Sequence, residues 1–253
     1  MNRVIHIILF YEFIINMIIY TIIYGIIIKR IEEGSEIMSS FKLQLLGYIL
    51  KIPAILIAFT AQGYAKALVA DKLGDKTPRF QGRLTLNPAE HVDLIGFLMI
   101  LIAGFGWTKP LNTNPSAYKR GYKDAIKVSV AAPLANLLVG FLGTILYVAT
   151  YKFLPNILPD DTIFFILINM IRLIATVNIS LFVFNLLPIP GLAGFEIFRD
   201  LWPKTFYKVS DKIYQYQFLI LIAIIFIGGS ILSIPVNFIY NAFMTLARLI
   251  FGI

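Results

Sequence analysis

The amino-acid sequence predicts an all-α polytopic membrane protein of about six transmembrane helices, with a small membrane-associated β-hairpin or sheet. Three observations carry this. Of 253 residues, 58% are hydrophobic and 14% are charged, and the mean hydropathy is +0.81; soluble domains carry more charge and a smaller apolar share. The apolar residues gather into runs of about 20, long enough to cross about 30 Å of hydrocarbon as helices, whereas a β-barrel would alternate polar and apolar residues. The net charge of +8 resides in Lys and Arg placed mostly between those runs, where they anchor helices against lipid headgroups. No basic, aromatic-interleaved soluble segment is present to bind nucleic acid. With no cysteine, disulfides, thiol catalysis and Cys-ligated metals are excluded.

The first apolar run, Val4–Ile28, is too long for a signal-peptide core and no small-residue cleavage site follows it, so it reads as an uncleaved transmembrane helix. Further spans are expected at about Leu45–Ala70, Ala125–Thr150, Thr162–Leu187 and Phe218–Ile234. A shorter apolar segment at Leu94–Phe105 runs into "AGFGWTKPLNTNP", whose Gly104, Gly106 and Pro110 predict a turn-rich extended element. "TPRFQGRLTLNP" (Thr77–Pro88) alternates like a short strand, and the two stretches together predict the small sheet. After Pro235, helical spacing predicts a C-terminal amphipathic helix at the interface. The domain expectation is an N-terminal helix and loop (1–44), a membrane core (45–236) and the C-terminal helix (237–253). If the short third segment crosses, Lys and Arg divide 6 against 12 between the two sides, which predicts an outside N-terminus.

The run "AFTAQGYAKALVADKLGD" (Ala58–Asp75) places Gln62, Gly63 and Lys66 inside an apolar helix. Gln62 and Lys66 are four apart and share one helical face. Their spacing matches H-E-x-x-H, in which two His bind zinc and Glu serves as general base, but all three functional letters differ. The surrounding stretches carry more. "IPAILIAFTAQGYAKALVADKLGD", "QGRLTLNPAEHVDLIG", "GFGWTKPLNTNP", "AAPLANLL" and "FNLLPIPGLAG" follow one another in order, and together they resemble the site-2 protease family, the peptidase M50 intramembrane zinc metalloproteases. The resemblance covers roughly residues 45 to 236 and leaves the N-terminal helix as an addition.

The resemblance implies which positions would carry chemistry. The two metal-binding histidines correspond to Gln62 and Lys66, the general base to Gly63, and the third metal ligand, an aspartate, to Ala193. Alanine supplies no donor atom, a lysine ammonium has no lone pair, glutamine is a poor zinc ligand, and glycine accepts no proton. The chain has two histidines, His6 and His91; by the resemblance His91 falls in a loop motif away from the site. The expectation is a pseudoprotease that needs no cofactor, although active members of the family hold zinc. It would bind or regulate a transmembrane protein or peptide segment, by strand addition to the "GFGWTKPL" edge and helix packing. The alternatives are an active metalloendopeptidase with a relocated metal site and a transporter or channel on the same scaffold.

Asn136 and Asn185 sit where the resemblance places substrate-handling positions, and with Gly104, Gly106 and Trp107 they are the candidate partner-binding residues. Lys66 calls for a counter-charge or for snorkelling to the interface, and Glu12, a carboxylate inside the first helix, is the expected ion-pair partner. Arg172 is expected to snorkel or meet a carboxylate, and Asn178 and Asn185 to bond backbone across helices. The expected location is the plasma membrane of a prokaryote, as a multi-pass protein; the sequence leaves the oligomeric state open.

Overall fold

A helix of 37 residues, α1 (Glu36–Lys72), opens the architecture in the computed structural model, which describes residues 36–104, 106–156, 161–224 and 229–253, together with Glu12, Ile15, Ile19 and Ile23. Those four isolated positions are helical and exposed; the rest of the expected first span lies outside the described residues. After α1 come a one-turn helix α2 (Thr77–Phe80), a short helix α3 (Leu94–Ala103), and two long helices, α4 (Tyr122–Phe153) and α5 (Asp161–Asn185). The chain then folds through α6 (Ala193–Leu201), α7 (Pro203–Ala223) and α8 (Gly229–Phe251). Among the described residues, four helices are long and apolar enough to cross a membrane: Gln44–Lys72, Tyr122–Phe153, Asp161–Asn185 and Ser230–Phe251.

Helices α1, α4 and α5 pack on one another as the central bundle. One apolar cluster joins Ile55, Ala58 and Phe59 of α1 to Ile100 of α3 and Leu181 of α5. A second joins Leu46 and Leu50 to Ile166 and Met170. Small residues let α4 and α5 approach closely. A Cβ at Gly143 would stand 3.1 Å from the Ala175 backbone nitrogen, the kind of close helix contact that small residues permit in membranes. Helix α8 lies against α4 through edge-on rings, Phe141 with Phe243 at 5.0 Å and Phe153 with Phe251 at 6.0 Å.

Three expectations change. The Thr77–Pro88 stretch forms no strand: Pro78 sits at the start of a helical turn, where its missing N–H costs nothing. Among the described residues the expected sheet reduces to one antiparallel bridge, Val92 with Thr108. Its neighbouring carbonyls are satisfied by a side chain instead of a strand ladder. The Arg83 guanidinium, itself buried, donates to the carbonyls of Lys109 (2.8 Å) and Pro110 (3.3 Å). Finally, Pro235 does not separate a span ending at Ile234 from an interfacial helix over 237–253: it lies inside α8, and the candidate span there is Ser230–Phe251.

The short helix α3 alters the transverse layout. Ten residues rise about 15 Å, half the hydrocarbon thickness. Gly104 ends α3 in the left-handed region (φ 82°), and the extended segment after it returns to pair with the loop before α3. Lys109 N–H donates to the His91 carbonyl at 2.9 Å. The return path is tight, because a Cβ at Gly96 would overlap the Trp107 carbonyl and one at Gly106 would overlap the Gly96 carbonyl. The segment therefore enters and leaves on one face, and the Asp75 carboxylate, accepting from Asn114 N–H at 2.6 Å, ties the end of α1 to the approach to α4. The nine Lys and Arg between 72 and 127 thus share a face, and the 6-against-12 division, which put them on opposite sides, does not hold.

Candidate functional site

The site grows from one face of α1. Gln62 is 3% exposed within a spanning helix, so its amide needs partners from the protein. Its side-chain oxygen accepts from Asn136 Nδ2 at 2.7 Å and from Asn185 Nδ2 at 2.6 Å. Asn136 lies in α4 and Asn185 is the last residue of α5. One acceptor therefore binds three helices together. Asn136 Oδ1 is buried with no partner among the described residues.

One turn on, Lys66 Nζ donates to both carboxylate oxygens of Glu196, at 2.7 and 2.6 Å. Side-chain exposure is 14% for Lys66 and 32% for Glu196, so the pair is only partly screened by solvent. This corrects the expected Glu12–Lys66 pair: Glu12 is exposed and the carboxylate comes from α6. The turn through Pro188 and Pro190 brings the start of α6 beside α1, and Glu196 in its first turn also complements the positive end of that helix. Glu196 follows Ala193 by three residues, so the two share a helical face. That spacing was the signal in the sequence that could have singled out Glu196. Ala193 itself is buried at the first position of α6.

Gly63 faces a side chain that the resemblance placed elsewhere. His91 is fully buried against it, and a Cβ on residue 63 would overlap His91 Nδ1. His91 Nε2 lies 2.7 Å from the Thr85 carbonyl. A carbonyl only accepts, so Nε2 carries the proton and Nδ1 presents a lone pair toward the glycine. Burial pushes the His91 pKa below its ordinary range, partly countered by the bond to Thr85, and the ring is neutral. Any side chain at position 63 requires His91 or α1 to shift.

The remaining candidates fall into two groups. Gly104 and Gly106 shape the backbone around α3 as described, while Trp107 lines a cleft of about 330 Å³ with Thr108, Phe184, Leu192, Gln217 and Phe218. At the Val92–Thr108 bridge the neighbouring residues, not Thr108, make the cross-bonds. The N–H and C=O of Thr108 consequently point to the edge opposite Val92, and Thr108 is one of the residues that line the cleft. Asn178 bonds within its own helix, to the Ile174 carbonyl at 2.8 Å, and Asn185 reaches a side chain, so neither makes the expected cross-helix bond to backbone. Arg172 is exposed and donates to Asn169 Oδ1 at 3.2 Å, an amide in place of the expected carboxylate.

The residues at the implied ligand positions do not fit a zinc ion. Gln62 Oε1 already accepts two short bonds, Lys66 presents a cation that is paired to Glu196, and Ala193 has no donor atom. Among the described residues no three His, Cys, Asp or Glu side chains converge to hold a metal.

Fold and site together define a multi-helix membrane protein with a polar constellation gathered from its spanning helices and the re-entrant loop. The chain belongs to peptidase family M50, whose pattern matches residues 10–228. It is 35% identical over 189 residues to "Putative zinc metalloprotease YwhC" of Bacillus subtilis, covering 73% of this chain and 82% of that protein. It is 27% identical over 184 residues to "Putative zinc metalloprotease Rip2" of Mycolicibacterium smegmatis, covering 70% and 67%. No solved structure matches.

Proposed function

We propose that this chain is a family M50 membrane protein that lacks peptidase chemistry and holds a segment of a membrane-protein partner without cutting it. The observation that carries the reading is the double hydrogen bond to Gln62: a side chain at an implied metal-ligand position has both its acceptor sites committed to Asn136 and Asn185. A general base is missing at Gly63, and His91 occupies the space such a side chain would enter. The asparagines expected to handle a partner are engaged with Gln62, so partner binding shifts to the cleft beside Thr108. There the outward N–H and C=O can extend an added strand, and Trp107 and Phe218 offer apolar surface to one of its side chains. Both relatives come from bacteria, which supports the plasma membrane of a prokaryote as the location.

The test is metal analysis of the purified full chain combined with photocrosslinking from a reactive residue at Gln217 in native membranes. The expected result is zinc far below one ion per chain, and a crosslinked membrane protein that disappears when Thr108→Pro removes the edge N–H. Stoichiometric zinc, or capture of lipid alone, would sink the reading.

A further inference from the structure

Helix α7 is held at Phe206 and Ser210, at Tyr214, whose half-exposed ring stands edge-on to Phe195 at 5.3 Å, and at Ile220, while most of its other residues are exposed. Phe206 and Ser210 are buried, with Phe206 edge-on to Phe195 at 4.8 Å and to Phe198 at 5.7 Å. At the other end Ile220 packs into the cluster of Phe184, Ile189 and Leu192. The remaining surface is sorted by chemistry. Lys204, Lys208 and Lys212 recur every four residues, so they form one stripe, and their positions place it opposite Phe206. Tyr207, Tyr214 and Phe218 share one flank and are 62%, 51% and 69% exposed. Asp211 is the one acidic residue in α7.

A basic stripe beside an aromatic flank, on a helix too polar in its first half to cross, is the pattern of a helix lying in the membrane interface. Tyr rings settle at the headgroup level. The apolar end, from Phe218 to Ala223, requires hydrocarbon, and Lys204 is about 21 Å from Phe218 along the axis, so the stripe stays at the bilayer surface. The face is also the right one. Ser129 near the start of α4 donates at 3.2 Å to Asp200 at the end of α6, three residues before α7, which puts the start of α7 beside the nine Lys and Arg of segment 72–127 and, with the four of 199–212, brings that face to thirteen. By the positive-inside rule that face fronts the cytoplasmic leaflet, which is rich in anionic lipid. We infer that α7 docks on anionic phospholipid headgroups through Lys204, Lys208 and Lys212. Charge complementarity and the apolar continuation into hydrocarbon both select lipid over an acidic protein segment.

The chain has no cysteine, so Gln215→Cys, three residues beyond Lys212, gives a unique fluorophore site on the stripe. The full chain is reconstituted into phosphatidylcholine vesicles that contain either phosphatidylglycerol or further phosphatidylcholine spin-labelled at the headgroup. Quenching by the phosphatidylglycerol label is expected to exceed that by the phosphatidylcholine label about fivefold. The ratio should fall to one in the Lys204→Gln, Lys208→Gln, Lys212→Gln variant and in high salt. It should persist in Lys119→Gln, Lys123→Gln, which removes charge from the same face outside α7. A ratio near one in the parent, or one untouched by the triple variant, would overturn the inference. So would equal loss in the Lys119, Lys123 control, or a probe protected by soluble polyglutamate but insensitive to phosphatidylglycerol.

Discussion

The face of α1 at Gln62 and the cleft at Thr108 are both polar places on an apolar chain, and they handle polarity in opposite ways. Around Gln62 most groups are buried and spoken for: two asparagines share one oxygen, Lys66 grips Glu196, and a neutral His91 fills the space over a glycine. At Thr108 the extended segment is bridged, among the described residues, on one edge only, to Val92, and the residue lines the cleft. Polar groups that close on one another stabilise the fold, while polar groups left facing a cleft are available to something else. Under the proposed function the first region is structure and the second is recognition.

The sharpest way to break that contrast is Gln62→Leu. It orphans the amide donors of Asn136 and Asn185 in a buried setting, and a loss of about 3 kcal/mol is expected, measured by equilibrium unfolding in mixed micelles. A stability near that of the parent would show that the asparagines find other partners. Gly63→Ala comes next, at about 2 kcal/mol, because the new methyl must push a buried ring; the same assay reads it. A double-mutant cycle on Lys66→Ala and Glu196→Ala should give a coupling of about 1 kcal/mol, reduced from a fully buried pair by the partial exposure of Glu196, and additive effects would remove the pair from the account. Smallest, Phe218→Ala should change stability by less than about 0.5 kcal/mol while weakening crosslinking at the cleft. A large stability loss there would make the cleft wall a packing feature, and the contrast would collapse.

The long helices were legible because their signal is local and continuous. Expected spans at Leu45–Ala70, Ala125–Thr150 and Thr162–Leu187 correspond to candidate spans Gln44–Lys72, Tyr122–Phe153 and Asp161–Asn185. Sequence and structure part where distant stretches of the chain decide the local conformation. The Thr77–Pro88 stretch alternates as a strand would, yet Pro78 starts a helical turn and Arg83 supplies the bonds that a ladder would have made. Short apolar runs give no depth, so α3 could not be told from a crossing segment until Val92 met Thr108. At the site, Gln62, Lys66, Asn136 and Asn185 were singled out individually, but the bonds joining Gln62 to the asparagines bridge 74 and 123 positions, and Lys66 reaches Glu196 across 130. No periodicity reports contacts at such separations. Glu12 is conspicuous as a carboxylate inside an apolar run, whereas Glu196 lies in a helix short enough to pass as a loop.

The shared oxygen of Gln62 also decides what position 62 tolerates. If a histidine stood at position 62 alone, its one free lone pair could answer at most one of the two asparagines. Alone, it would have no second metal ligand at Lys66 or Ala193. That single change would lower stability and complete no metal site. Hydrogen bonds that hold three helices together thus make position 62 a mechanical joint, whose occupant is chosen by the two amides it must answer.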